Sequence, residues 1–357
     1  MDSSRTAPRI LVVGCGGIGG VVLSRLLEAG HPVHAVARRE AIAQVLRERG
    51  PRLHDEKGER AVPGTNLEVF VRPPERGTYD FILLATPPTG VEEAVRDTRH
   101  LLAPEGAVVV LSNGLCEERV AREVEAERVI GAVVAWGASS PETGVYVRTA
   151  TGGIVLGTLR GGTDARVERL AGVLRAVCPV ELTTNLRGVR WSKLAINCAI
   201  SSLGTVGGDR LGPLMRQRFV RRLGLEVITE VLQVARAEGV TLEKVAPTLE
   251  LEWLALDDAE RRARGSPSLL LKHAVLLAIG THYRKMRSSM LAAIERGREP
   301  AVDSLNGEVV RKAQVHGIAV PVNTCLWETV HALGRHELKP GLDTLRAVYA
   351  RTRSLPE

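Results

Sequence analysis

Aromatic residues are scarce, with four Trp, four Tyr and three Phe in 357 residues. Surfaces that bind nucleic acid commonly interleave such rings with basic side chains, so the net charge of +7 has no stacking platform to accompany it. The arginines read instead as a solvated face with attraction for anionic small molecules, and no nucleic-acid partner is expected. Long apolar runs are also missing. Nothing approaches the roughly 20 residues that cross a bilayer, and the opening MDSSRTAPR has no apolar segment of a secretory signal. Neither a membrane partner nor export is expected. The five cysteines, Cys15, Cys116, Cys178, Cys198 and Cys325, are scattered without a CxxC pair. That spacing argues against a disulfide or zinc framework and for the reducing cytoplasm. The nine histidines form no HxH or HxxxH set, and no metal site is expected.

What is present organises itself around Arg9 to Gly20, RILVVGCGGIGG. The run Ile10-Leu11-Val12-Val13 reads as a strand buried on both faces. It ends in Gly14-Cys15-Gly16-Gly17-Ile18-Gly19, whose glycines at 14, 16 and 19 have the spacing that receives the pyrophosphate of a dinucleotide. Gly14 allows a tight turn, Gly16 a close approach of backbone to phosphate, and Gly19 close packing of the following helix on the strand. That helix, Val21 to Leu27 with Gly30 beyond it, would direct its unpaired N–H groups and positive dipole end at the phosphates.

The second strand, Pro32 to Ala37, ends at Arg38-Arg39. An acid that accepts from the adenosine ribose 2′-OH is expected about 20 residues past the glycines, and arginine stands there instead. A guanidinium suits a 2′-phosphate through charge-assisted bonds, so the reading favours NADP(H) over NAD. Glu40 could support NAD, but it lies one or two residues late, at the start of the next predicted helix.

Further buried strands follow at 80–86, 107–111, 129–136, 153–156 and 180–182, with helices at 91–102 and 165–176. Residues 51–79 are rich in Pro, Gly and charge and read as a small meander with one short strand at 67–71. Strand–helix alternation to about residue 184 predicts an α/β fold with a doubly wound parallel sheet of Rossmann type. Ligands of such sheets lie beyond the carboxyl ends of the strands, where Gly14, Arg38, Pro87 and Asn113 all fall. From Asn185 onward helical spacing dominates, with helices expected near 188–204, 212–238, 242–262, 268–296, 301–316 and 322–334. The division is thus 1–184 for a nucleotide-binding domain and 185–357 for an all-helical domain.

The informative helix is RWSKLAINCAIS, 190–201. It is apolar nearly all round, and Lys193, Asn197 and Ser201 recur at i, i+4 and i+8 as one polar stripe. A lysine in such a helix either snorkels to the surface or serves as a proton donor of tunable pKa. Asn113, before Gly114, is either turn chemistry or a ligand contact.

The chain resembles the ketopantoate reductase family, the NADPH-dependent 2-dehydropantoate 2-reductases. The resemblance runs from Arg9 to about Trp327 and rests on GCGGIG (14–19), Arg38, SNG (112–114), KLAIN (193–197), RSSM (287–290), DSLNG (303–307) and GIAVP (317–321). It implies a Rossmann domain, a helical domain and catalysis between them. By motif, Lys193 corresponds to the catalytic lysine, Asn113 and Asn197 to active-site asparagines, and Ser289 to a substrate-binding serine, with Ser201 on the substrate side. Three positions depart from the pattern. Ala301 stands where a substrate-contacting glutamate is common, with Glu299 two residues away. Pro87 stands where a lysine often follows the third strand, and Ser201 replaces an asparagine. The expected reaction is reduction of a 2-oxo acid, pantoate being the default product. The alternatives are reduction of another 2-oxo acid, ketone or imine, and a non-catalytic NADP(H)-responsive binding protein. A methyltransferase would need the acidic ribose partner that is missing. A homodimer is compatible with the sequence but not required by it.

Overall fold

The computed structural model describes residues 7–244, 250–262 and 266–353, and the chain divides into two compact units, 1–186 and 187–357. In the first unit the run predicted as a buried strand is β1 (Ile10–Val13). Its side chains alternate between two cores, Ile10 and Val12 in one and Leu11 and Val13 in the other. This is why the run is apolar without interruption rather than alternating. In chain order there follow α1 (Gly17–Glu28), β2 (Val33–Val36), α2 (Glu40–Arg49), β3 (Arg52–Asp55), β4 (Gly58–Ala61), β5 (Leu67–Phe70), β6 (Tyr79–Leu84), α3 (Val91–Thr98), β7 (Leu102–Val110) and α4 (Glu117–Val120). The unit continues with β8 (Val129–Val134), β9 (Ala138–Ser139), β10 (Val145–Arg148), β11 (Ile154–Thr158), α5 (Ala165–Leu174) and β12 (Val180–Leu182).

The main sheet has the order β12-β11-β8-β7-β6-β1-β2-β5. Its chain runs outward from β1 through β2 to β5 on one side, and through β6 and β7 to β8 on the other, all parallel. The strand order reverses beside β1, the place where open α/β sheets form a ligand crevice. The sheet is mixed rather than wholly parallel as the sequence reading had it: β11 is antiparallel to β8, and β12 runs with β11. The reason is the connection. Residues 135–153 leave and re-enter at one end of β8, so Ile154 pairs with Val134, whereas a parallel neighbour requires a crossover to the other end.

That excursion and residues 52–61 build a second sheet, β4-β3-β10-β9, where a meander with one strand was expected. It packs on α1 through two glycines. A Cβ on Gly17 would lie 2.8 Å from the backbone of Ala138, and one on Gly20 2.1 Å from the ring of Tyr146. Charge fastens the β3–β4 hairpin to the same helix. The buried Arg25 of α1 reaches Asp55 at 2.9 Å, and Arg60 reaches the other oxygen of Asp55 at 2.8 Å. The Asp55 carboxylate is fully enclosed, and its two arginines are what make its burial tolerable.

The second unit contains α6 (Leu186–Gly207), α7 (Leu211–Arg216), α8 (Arg218–Ala237), α9 (Leu251–Leu254), α10 (Asp258–Arg262), α11 (Pro267–His282), α12 (Ser289–Glu295), a 3₁₀ turn (Ala301–Ser304), α13 (Asn306–Val315), α14 (Pro321–Gly334) and α15 (Leu342–Arg353). No strand occurs among its described residues. The single helix expected over 212–238 is broken at Gln217, which has extended backbone (φ −77°, ψ 121°). There Arg221 donates to the carbonyls of Met215 and Arg216, serving groups left over at the end of α7. The helix expected over 268–296 is interrupted after His282. The Leu211 N–H donates to the Met286 carbonyl (2.9 Å), and Ser288 caps α12. Within the helix expected over 242–262, residues 245–249 lie outside the described residues. The last helix, α15, was not anticipated, although Leu345 and Val348 carry its buried face. No helix among the described residues is long and apolar enough to cross a membrane.

Candidate active site

At the end of β1 the chain turns through Gly14, whose φ of +101° is open to glycine and costly for other residues. A Cβ there would meet the Ala85 carbonyl oxygen at 2.9 Å. Gly19 is tighter still, since its Cβ would lie 1.9 Å from the carbonyl oxygen of Gly14. Both positions are thus demanded by the packing of α1 against β1 and β6. Gly16 differs. It is the N-cap of α1, offers no side-chain cap, and a Cβ on it would meet nothing within 4 Å. Helix α1 therefore starts with its first N–H groups uncapped by any side chain and with open space beside the backbone, the arrangement that receives phosphate. Cys15 offers only its backbone here. Its side chain is in the core, burial pushes the thiol pKa up to about 12, and its carbonyl accepts from the Tyr146 hydroxyl at 3.3 Å. Ile18 packs against the same core.

Arg38 follows β2 and is exposed. Its Nη1 donates to Glu93 Oε2 at 2.8 Å, so its guanidinium lies beside the first turn of α3. At the end of β6 the sequence reading missed Thr86. Its hydroxyl is buried and has no hydrogen-bond partner among the described residues. Orphaned hydroxyls of this kind are rare and call for a partner, and this one sits beside Gly14, where the Thr86 N atom is 3.1 Å from a Cβ built on that glycine. The only sequence signal was a threonine ending an apolar strand. Asn113, one residue beyond Ser112, is exposed, with Gly114 in a positive-φ turn (84°). Ser112 donates to the Thr86 carbonyl at 2.8 Å and so ties the loop after β7 to the loop after β6. Glycine loop, Arg38, Thr86 and Asn113 all follow the carboxyl ends of parallel strands. An uncapped helix start, an open glycine and an orphaned hydroxyl fit a dinucleotide.

The other expected residues belong to the helical unit. On α6, Lys193, Asn197 and Ser201 are half-buried, as are Val189, Ile196 and Ile200, while the other residues from Arg190 to Gly207 are buried. The helix thus has one open face, with a polar line along it. Ser289 is the exposed first residue of α12. Its neighbour Ser288 is buried, donates to the Ser201 carbonyl at 2.9 Å and lies 2.7 Å from the Thr205 hydroxyl. Ser288 therefore brings the start of α12 to the Ser201 end of the stripe. Ala301 opens the 3₁₀ turn and is half-buried, while Glu299 is exposed, two residues earlier and across the buried Pro300.

A Rossmann-type unit with a phosphate-receiving turn, joined to a helical unit with one half-open polar stripe, defines a class: the two-unit, dinucleotide-dependent oxidoreductases. Comparison with known proteins specifies it. Residues 10–161 match the family model described as ketopantoate reductase PanE/ApbA, and residues 185–334 match its C-terminal counterpart. The chain belongs to the ketopantoate reductase family, whose members are NADP-dependent oxidoreductases acting on CH–OH. It is 25% identical over 324 residues to the 2-dehydropantoate 2-reductase of Pyrococcus abyssi, covering 89% of this chain and 95% of that one. It is 26% identical to the enzyme of that name from Escherichia coli O157:H7, covering 90% and 94%. Among solved structures, a PanE/ApbA family ketopantoate reductase from Ralstonia eutropha JMP134 superposes with a TM-score of 0.76 at 26% identity, covering 92% and 99%. The fold is shared equally by a D-mandelate dehydrogenase solved with NADH and anilino(oxo)acetate, at a TM-score of 0.75 and 21% identity, covering 92% and 99%.

Proposed function

We propose that the protein reduces a 2-oxo acid to the 2-hydroxy acid with NADPH, and that 2-dehydropantoate, giving pantoate, is the substrate. The observation that carries this reading is the half-buried Lys193–Asn197–Ser201 line on the one open face of a helix whose other faces are buried, in a chain of this family. NADPH supplies the hydride when bound. The backbone of Gly14–Gly19 would hold its pyrophosphate, Arg38 its 2′-phosphate, and Thr86 and Asn113 would offer hydrogen bonds at the strand ends. Lys193, as ammonium, polarises the substrate carbonyl and gives its proton to the oxygen as alkoxide character develops. Asn197 orients the lysine and the substrate, and Ser289 and Ser201 bind the carboxylate or hydroxyl of the acid. A cytoplasmic setting agrees with five buried cysteines, none of them in a disulfide.

A second substrate is favoured by one position. The Ala301 methyl can accept no hydrogen bond where the family commonly offers a carboxylate, so a 2-oxo acid without the 4-hydroxyl of 2-dehydropantoate is the rival. The test is to follow NADPH oxidation with purified protein and a panel containing 2-dehydropantoate, 2-oxoisovalerate and an aryl 2-oxo acid. Preference for 2-dehydropantoate supports the first reading. Preference for another acid supports the second, and inertness toward all of them defeats both.

A further inference from the structure

The motifs DSLNG and GIAVP have so far carried only resemblance, and the helical unit gives them a physical connection to α6. Glu230, on α8, is buried and accepts three hydrogen bonds from the start of α14: from the Val322 N–H, the Asn323 N–H and the Asn323 Nδ2, each at 2.8 Å. A carboxylate accepts and an amide has distinct ends, so Glu230 dictates which way round Asn323 stands. Its Nδ2 faces the glutamate and the Val227 carbonyl (3.3 Å), and its Oδ1 faces away. That oxygen accepts from Asn306 Nδ2 at 2.9 Å. The orientation of Asn306 is fixed in turn. Its Nδ2 also donates to the Cys198 carbonyl (3.4 Å), and its Oδ1 is left for the Ser202 hydroxyl, which donates to it. Asn306, Asn323 and Ser202 are completely buried.

The far end of this ladder grips α6 at two points one turn apart, residues 198 and 202. Each directly follows a residue of the polar stripe, Asn197 and Ser201. A helix held by apolar packing alone can slide or rotate by small amounts at little cost. Two hydrogen bonds of fixed polarity, in an interior where an unmet partner is expensive, oppose both motions. Asp303 and Gly307 support the anchor. Asp303 accepts from Trp327 Nε1 (2.7 Å) and pairs with His331 (2.9 Å). A Cβ on Gly307 would meet that indole nitrogen at 2.9 Å, so α13 starts pressed against α14.

We propose that Asn306, oriented by Asn323 and Glu230, is a positioning residue that sets the rotation and height of α6, and with them the substrate-side placement of Asn197 and Ser201. The inference rests on the assignment of that stripe to the 2-oxo acid. It extends that assignment to a buried ladder that touches no ligand.

The test uses the full-length enzyme. Ser202→Ala removes the hydroxyl and leaves Asn306 Oδ1 unmet. Asn306→Ala removes the bridge. Leu333→Ala, a buried truncation elsewhere on α14, provides a matched loss of thermal stability. For Ser202→Ala the expected result is a KM for the 2-oxo acid raised about 5- to 30-fold, the equivalent of one or two net hydrogen bonds. The dissociation constant for NADPH should stay within about twofold, because the glycine loop belongs to the other unit. Amide exchange should quicken across 197–203, and Leu333→Ala should lower Tm without moving KM. Asn306→Ala should exceed Ser202→Ala on every readout if it folds, and Ser202→Ala decides the matter if it does not. An unchanged KM in a folded Ser202→Ala protein overturns the proposal, as does an equal rise in Leu333→Ala. A wild type active on a 2-oxo acid with an unmoved variant KM defeats the positioning role alone, and a wild type inert to every 2-oxo acid defeats the assignment of the stripe as well.

Discussion

Gly16→Ala and Gly19→Ala separate the proposed phosphate-binding role of the first turn from its packing role. At Gly19 an added Cβ falls 1.9 Å from the Gly14 carbonyl oxygen and 2.9 Å from the Ala85 side chain. Ordinary contact needs well over 3 Å, so α1 must move by more than an ångström away from β1. Overpacking of this kind costs typically 1–3 kcal/mol, and more where backbone is the obstacle. At Gly16 the φ of −82° suits any residue and the space is open. Alanine is a poorer N-cap than glycine by roughly 1 kcal/mol, and it gains about 0.4–1 kcal/mol by restricting the unfolded chain. The two effects nearly cancel, so Gly16→Ala should melt within a few degrees of wild type. A methyl would nevertheless occupy the open space proposed above for the pyrophosphate. Loss of one charge-assisted bond, about 1.5–3 kcal/mol, weakens binding roughly 10- to 150-fold. Melting curves and calorimetric titration with NADPH measure both quantities on the same samples. The reasoning fails if Gly16→Ala binds NADPH as wild type does, or if it loses affinity only in proportion to lost stability.

Arg38→Asp should weaken NADPH binding by roughly 10- to 150-fold, as for lost bonds to a charged group, and leave NADH binding nearly unchanged. An equal loss of both cofactors would make Arg38 a structural partner of Glu93. Burial pushes the Glu230 pKa up to about 7 from an ordinary 4.5, despite bonds from Asn323 and Val322 that act the other way. The folded state therefore binds this proton more tightly than the unfolded one. The associated stability is fully present below about pH 4.5 and is lost as pH rises through 7, by an amount on the order of 3 kcal/mol. Denaturant titrations of wild type and Glu230→Gln across that window should differ in slope, and parallel curves would show that Glu230 does not carry the shift. Burial and the nearby Arg221, Arg218 and Arg222 lower the His273 pKa to about 4 from 6.5. Its contribution has the opposite sign, present above about 6.5 and lost as pH falls toward 4, so acid sensitivity should diminish in His273→Gln. Ala301→Glu should raise kcat/KM for 2-dehydropantoate specifically. A fall instead would point to a different anchor for the 4-hydroxyl.

Local patterns in the sequence marked the glycine turn after β1 and the polar stripe on α6. Ile10–Val13 is apolar because both faces of β1 are covered, and the approach of Gly19 to the Gly14 carbonyl is a backbone requirement contained within one turn. The line Lys193–Asn197–Ser201 follows from the period of a single helix. What could not be read depends on pairs distant along the chain. Gly17 and Gly20 are glycines because Ala138 and Tyr146 return to them, which no local pattern announces. Arg25 is buried in α1 because Asp55, thirty residues further on, supplies its partner. The reversal of β11 is a property of the excursion that precedes it, not of Ile154–Thr158. Thr86 is notable only through the partner its hydroxyl lacks, and Asn306 only through a ladder spanning α8, α14, α13 and α6. Gln217 split a predicted helix because the end of α7 is served by a side chain, Arg221, from the next.

Proton delivery by Lys193 is the step on which the proposed reduction of a 2-oxo acid by NADPH turns. The most direct measurement is the single-turnover rate of NADPH oxidation by Lys193→Ala on the substrate preferred by wild type, with NADPH affinity determined on the same preparation. The rate should fall by roughly 10²- to 10⁴-fold, the range for removal of a general acid, with NADPH bound as in wild type. Near-normal turnover in Lys193→Ala, or a loss explained by failure to bind NADPH, would contradict it.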